Sequence, residues 1–379
     1  MRDIKMVDLQ TQYLKIKDEI HFLFDEILAS AAYINGPHVN LFSNSLSKFL
    51  NVKHVIPCGN GTDALQLALM AADLEPGDEV ITTPFTFVST VEVIGLLGLK
   101  PVFVDVCPDS FNMDTQKITD KITDKTKVII PVHLFGRPTE MEPLLQLANK
   151  HELIVIEDAA QSLGAEYTFS NGKTYQTGTM GQLGTTSFFP SKNLGCYGDG
   201  GAVMTNDDEL ATKVKSIANH GADKKYHYDR VGINSRLDTL QAAVLLAKLP
   251  HLKDYNQSRI NAAHYYDALL ENTELVKCPL RPKNATHIFH QYTLIIDDGR
   301  DKLMEFLAKK GIPTAIYYPL PLHLQKAYSN YGYKSGDFPI AENLSQKVLS
   351  LPMHSELSEE QQDFIIANLK LGLEKSRGV

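Results

Sequence analysis

Three short segments carry residue types that could do chemistry together. In Asn60-Gly61-Thr62-Asp63, small residues permit a tight turn just before a run of helix formers, and the first amides of a helix suit an anion. The Thr62 hydroxyl adds a donor, although the same segment would serve equally well as a helix cap with no ligand. It is neither a GxGxxG fingerprint nor a Walker loop, so dinucleotide or ATP binding is poorly supported. Asp158 follows the apolar stretch LIVIE (153–157), and open α/β sheets collect ligands at the carboxyl ends of such strands. It could face a cofactor or cap a helix. Glu157 sits inside the strand pattern and ranks below it. Lys192 closes Ser187-Phe188-Phe189-Pro190-Ser191-Lys192, ahead of Gly195, Gly198, Gly200 and Gly201. Partial burial or a neighbouring cation there would lower its pKa and free a nucleophilic amine, as Schiff-base chemistry requires, although taken alone the segment reads equally as an ordinary surface lysine.

These segments need a scaffold. Helical patterns cover 16–31 and 41–50, broken at Asn35-Gly36-Pro37. Strands are expected at 52–57, 79–83, 101–105, 128–132, 153–157, 185–189 and 201–205. Helices are expected between them at 61–72, 89–97 and 140–151. Apolar strands without alternation are buried on both faces, and intervening helices predict a mostly parallel sheet. A long helix over 239–248 and 254–270 should bend near Pro250. Beyond it come a strand at 290–296, a helix at 301–310, a loop at 320–333 and a final helix capped near Ser358. The expected division is a large α/β domain over 1–255 and a smaller C-terminal domain over 256–379.

Composition narrows the field. The 379 residues are 43% hydrophobic and 22% charged, as in a soluble globular protein of roughly two to three domains. Lys plus Arg is 37 against 45 for Asp plus Glu, a formal charge of -8 that gives no global pull toward nucleic acid or anionic lipid. Cys58, Cys107, Cys196 and Cys278 form no CxxC pair and read as thiols of a reducing compartment. The first twenty residues lack an apolar block, and no run reaches the ~18 apolar residues of a membrane span. A cytoplasmic location is expected, without a membrane or nucleic-acid partner. The thirteen histidines show no HExxH, so no metal is expected.

A phosphate cradle, a carboxylate and an amine in an α/β protein match pyridoxal phosphate. Longer motifs point the same way: YINGPHV (33–39), CGNGTDALQLAL (58–69), GDEVITTPFTFVST (77–90), VHLFGRP (132–138), VIEDAAQSLGA (155–165), SFFPSKNLGCYGDGGAVMTND (187–207), GINSRLDTLQAA (232–243), YYPLPLHLQ (317–325) and LSLPMH (349–354). Through them the chain resembles the DegT/DnrJ/EryC1/StrS family of sugar-nucleotide aminotransferases over its whole length. The resemblance implies fold type I: a large domain with a mostly parallel mixed sheet and a smaller α+β C-terminal domain. It also implies pyridoxal 5'-phosphate, cycling through pyridoxamine 5'-phosphate.

The resemblance further implies roles. Lys192 would hold the cofactor as a Schiff base and shuttle protons. Asp158 would pair with the pyridine nitrogen, Gln161 would lie by the phenolic oxygen, and Phe87 would stack on the ring. Gly61, Thr62 and Ser187 would hold the phosphate, joined by Asn234 of a neighbouring subunit, so the working unit would be a homodimer with shared sites. Dehydratase relatives carry histidine in place of the lysine; Lys192 implies an aminotransferase.

The resemblance runs to enzymes that use L-glutamate, released as 2-oxoglutarate, to aminate C3 of a UDP-linked 3-keto-N-acetylglucosaminuronate for bacterial surface polysaccharide. Arg236 is the first candidate for the sugar carboxylate, since a guanidinium meets a planar carboxylate bidentately; donor recognition and a structural role are open beside it. Lys225 and His227 are candidates for the nucleotide diphosphate, with a solvated surface loop open beside that reading. Tyr318 and His323 are candidates for the sugar, with a local backbone contact open for His323. His133 lies at an expected strand end, near the cofactor or closing a core edge. The other readings are a dTDP- or GDP-linked 6-deoxy-keto-hexose substrate and a non-catalytic cofactor-binding protein.

Overall fold

The computed structural model describes residues 3–224 and 226–376. Helix α1 (Leu9–Ser30) is capped by Asp8, whose carboxylate accepts from the Thr11 amide at 3.1 Å. Helix α2 (Pro37–Leu50) opens on proline, whose missing amide costs nothing in a first turn. Next come β1 (His54–Cys58), α3 (Gly61–Ala71), β2 (Glu79–Thr82), α4 (Ser89–Leu96), β3 (Lys100–Phe103), β4 (Thr126–Ile129), α5 (Met141–Lys150) and β5 (Ile154–Asp158). A hairpin of β6 (Glu166–Thr168) and β7 (Thr174–Gln176) precedes β8 (Leu183–Ser187) and β9 (Gly201–Thr205).

Helix α6 (Asp208–Ala218), which the sequence reading passed over, starts at Asp207; that carboxylate accepts from the Glu209 and Leu210 amides at 2.8 and 2.9 Å. A small ribbon follows, β10 (Ala222–Lys224) with β11 (His227–Tyr228). Helices α7 (Thr239–Lys248) and α8 (Leu252–Leu270) are separated by a 3-10 turn at Leu249–His251, so the bend falls at Pro250 as expected. The chain ends with β12 (Val276–Lys277), β13 (Tyr292–Ile296), α9 (Arg300–Lys309), α10 (Pro339–Lys347), β14 (Val348–Leu351) and α11 (Glu359–Ser376). The Ser358 hydroxyl caps α11 through the Gln361 amide at 3.3 Å. Residues 320–333, expected as loop, form two 3-10 segments.

The main sheet runs β1-β9-β8-β5-β4-β2-β3. Only β9 is antiparallel to its neighbours; the remaining adjacent pairs are parallel. Successive strand residues face opposite cores. Val80, Val128 and Ile156 pack with α3, while Ile81, Ile129 and Val155 pack with α5. Leu67 of α3 has no exposure, and truncating it to alanine would cost about 2–5 kcal/mol.

A second core joins α8, α9 and α11 to the antiparallel β12-β13-β14 sheet through Tyr266, Tyr292, Leu303 and Leu369. Helix α8 belongs to both, with Leu252 in the first assembly and Ala263 in the second, so the expected boundary at 255/256 falls inside a helix.

Candidate active site

The carboxyl ends of β1, β5 and β8 converge because β9 pairs with two of them at one residue, Gly201, which lies opposite both Cys58 and Ser187. That pairing sets the N-terminus of α3 against Ser187. A Cβ on Gly61 would come within 2.6 Å of the Ser187 Cβ, and one on Gly201 would meet the Asn60 carbonyl. Both close approaches therefore require glycine. Asn60 caps α3 by accepting the Asp63 amide at 2.8 Å, and the first-turn amides of Gly61 and Thr62 have no intrahelical acceptor. Ser235 braces the turn from the 232–236 segment: its hydroxyl donates to Asp63 at 2.6 Å and accepts the Gly59 amide at 2.9 Å.

A cavity of about 720 Å³ opens at this junction. Gly61, Thr62, Phe87, Asp158, Gln161, Ser187, Lys192 and Tyr318 all line it. Asp158 ends β5 and is nearly buried; Oδ2 accepts the Thr90 hydroxyl at 2.8 Å and Oδ1 accepts the Ala160 amide at 3.2 Å. Lys192 stands on the loop between β8 and β9, and its ammonium has no hydrogen-bond partner among the described residues. Burial lowers that ammonium from 10.5 to about 8, with the Asp158 charge opposing the shift. Gln161 bridges the wall, its Oε1 accepting the Phe135 amide at 2.7 Å and its Nε2 donating to the Tyr318 phenol at 3.1 Å. Burial pushes the Tyr318 phenol well above its usual range. The Phe87 ring is 54% exposed, which leaves one face free to cover a planar ligand.

Other expected residues lie elsewhere. His323 does not line the cavity: its buried ring is held 3.1 Å from Glu342 and edge-on to Phe338. Arg236 lines a separate polar pocket of about 380 Å³ with Asn35, Asn40, Lys53 and Lys215. Asn234 is exposed, bridged to Asn219, and His227 lies exposed in β11. Lys225 lies outside the described residues. His133 is fully buried behind the site; Nδ1 accepts the Thr139 amide at 3.0 Å, so Nε2 is the atom that donates to Glu157 at 2.9 Å. Glu157 also accepts the amides of Gly178, Met180 and Gly181, which makes it a structural anchor.

Sequence reasoning missed Thr90, His290 and Gln291. The buried His290 ring lines the cavity with Nδ1 unpartnered, and burial, then Lys192 and Arg259, hold its pKa well below 6.5. Arg259 fixes that segment by donating to the carbonyls of Phe289, His290 and Met353 at 3.2, 3.3 and 3.0 Å.

Comparison with known proteins identifies this arrangement. Residues 14–370 match the model of the DegT/DnrJ/EryC1/StrS aminotransferase family. The chain belongs to that family. It is 47% identical over 369 residues to a pleiotropic regulatory protein of Geobacillus stearothermophilus, covering 97% of this chain and 98% of that one. It is 43% identical over 366 residues to the UDP-2-acetamido-2-deoxy-3-oxo-D-glucuronate aminotransferase of Pseudomonas aeruginosa, covering 97% and 99%. Among solved structures it resembles NtdA of Bacillus subtilis with bound pyridoxamine phosphate, at TM-score 0.87 and 32% identity over 95% of this chain and 82% of that one.

As a DegT-family member the protein is a pyridoxal-phosphate-dependent aminotransferase of fold type I. The cavity fits that cofactor. Along one wall it offers the helix start at Gly61, held so close to Ser187 that a Cβ would collide, together with a carboxylate that has room for one more donor and an amine without a hydrogen-bond partner among the described residues. Among the described residues no helix is long and apolar enough to cross a membrane.

Proposed function

We propose that this aminotransferase moves the amino group of L-glutamate to C3 of a UDP-linked 3-keto-N-acetylglucosaminuronate, releasing 2-oxoglutarate and the 3-amino sugar nucleotide. The observation that carries the reading is the near full-length match to the Pseudomonas uronate aminotransferase. The bound cofactor supplies a cationic ring that withdraws electrons from the reacting carbon. Lys192 Nζ, lowered to about 8, holds the cofactor and moves the proton. Asp158, with one oxygen on Thr90 and the other on the Ala160 amide, would present its carboxylate to the pyridine nitrogen. Phe87 and Gln161 orient the ring, and the amides of Gly61 and Thr62 with the Ser187 hydroxyl take the phosphate.

The working unit in this reading is a homodimer. Phe22 and Leu41 are 63% and 54% exposed, and they line one apolar groove with Leu23, Leu246 and Ala247. Asn234 is free to reach a partner's phosphate, and Arg236, which has no ion pair among the described residues, to reach a partner's sugar carboxylate.

A reverse assay tests the substrate. The protein is loaded with pyridoxal phosphate and given 2-oxoglutarate with the UDP-linked 3-amino uronate, its 6-hydroxymethyl counterpart, or a dTDP-linked amino-deoxy sugar. The uronate should turn over fastest, and Arg236→Ala should weaken it selectively. Equal use of the uncharged sugar would remove the uronate assignment, and an equal loss with glutamate in the Arg236 variant would assign that side chain to the amino donor instead.

A further inference from the structure

Phe135 occupies a conformation that a bulky residue avoids. Its φ is 58° and ψ 11°, inside a turn at Leu134–Gly136, and such backbone persists only where neighbours over-determine it. Asn112 does so. This side chain is almost fully buried and comes from the segment after β3. Its Oδ1 accepts the Leu134 amide at 3.1 Å while its Nδ2 donates to the Arg137 carbonyl at 3.0 Å, so both ends of one amide span the turn. The Gln291 amide donates to the Phe135 carbonyl from the other side at 3.4 Å. Phe111 packs edge-on against the Phe135 ring at 5.5 Å.

The strained residue has a polar task. A side-chain amide can present oxygen or nitrogen in either direction, but a backbone N–H only donates. The Phe135 amide at 2.7 Å therefore fixes which end of Gln161 is oxygen, and the nitrogen end is left toward Tyr318 and the cavity. If the turn relaxed to ordinary dihedrals, that N–H would leave Gln161 and the amide could reverse.

We propose that Asn112 is a positioning residue of the transamination site, acting through the 134–137 turn to hold the Gln161 amide with its donor end toward the cofactor. The proposal rests on the reading of Gln161 as a cofactor contact, and the experiment separates the two. The holoenzyme and its Q161A, N112A, N112D and N112A/Q161A variants are titrated with pH while the absorption of the bound cofactor is followed. Deuterium uptake of the peptide containing Phe135 is measured alongside. N112D tests one end of the bridge, since its carboxylate still accepts from Leu134 but sets an oxygen in place of the donor against the Arg137 carbonyl.

Expected are a displaced midpoint in Q161A, a displacement of the same sign in both Asn112 variants, and no further displacement in the double variant, because the two act in series. Uptake at Phe135 should rise in N112A. Asn112 variants that keep the parental midpoint while Q161A moves it would overturn the positioning role and spare the Gln161 contact. So would displacements that add in the double variant. A parental midpoint in Q161A itself would remove the Gln161 contact and the proposal with it.

Discussion

The Thr90 hydroxyl lies 2.8 Å from Asp158 Oδ2, joining the first turn of α4 to the end of β5 across 68 residues of chain. A hydrogen bond to a buried carboxylate is among the stronger ones, because the charge has few other sources of solvation. Removing it leaves Asp158 with the Ala160 amide alone. T90V should weaken cofactor binding about tenfold or more, from the 1.5–3 kcal/mol typical of charged hydrogen bonds, while T90S stays near the parent. Absorption titration of the cofactor-free protein measures this, and equal affinity in T90V would show that the hydroxyl does not support the carboxylate.

Lys192 predicts a pH dependence. Folding lowers its ammonium from 10.5 to about 8, chiefly through burial. Between those values the unfolded chain keeps a proton that the folded chain has released, so stability rises with pH across the window. The cofactor-free protein should therefore gain stability relative to K192M from about pH 8 to 10.5, and change little against it below. Urea midpoints of the two proteins over that range provide the check. A constant difference would mean that the amine is solvated in the folded state.

His323 separates packing from recognition. Its segment resembles one that approaches the sugar, yet here Glu342 and Phe338 enclose the ring. Burial lowers its pKa below 6.5 against the pull of Glu342, so its contribution to stability is lost as the solution becomes more acidic than 6.5. H323L should lower stability by about 1–3 kcal/mol near neutrality and flatten the acid limb of the stability curve. The KM for the sugar nucleotide should stay within about twofold. A raised KM in a fully stable H323L protein would return this residue to the substrate.

What could be read from the chain depended on how local the signal was. Strand β9 carries a local apolar core, Ala202-Val203-Met204, and coincides with the strand expected at 201–205, and Pro250 marks the break between α7 and α8 because proline cannot continue a helix. Helix α6 was legible and passed over: Asp207, Asp208 and Glu209 are a helix-start signal. Strand β14 directly follows α10 without a linker, so its apolar residues extend the helical run and conceal the change of period. In the cavity, Lys192, Asp158 and the Gly61 turn stood out by type and neighbours. Thr90 did not, nor did Asn112 outside the lining, since each acts on a partner that only the tertiary fold brings near; His290 did not because only the fold brings its ring to the cavity. The surroundings of His323 were hidden for a related reason, because its burial depends on Phe338 and Glu342, which lie outside its own segment.

The exposed Asn234 makes the homodimer reading open to a decisive mixing experiment. If its amide completes the partner's site, K192A and N234A damage different sites of a mixed dimer. In that dimer the chain carrying N234A keeps its own Lys192 and receives an intact Asn234 from the K192A chain, which rebuilds one site. The other site has neither group. Random reassociation makes half the dimers mixed, each with one of two sites restored, so about a quarter of the parental activity should return from two impaired parents. Were Asn234 to act within its own chain, no site would regain both residues, and mixing would leave only the average of the two variants.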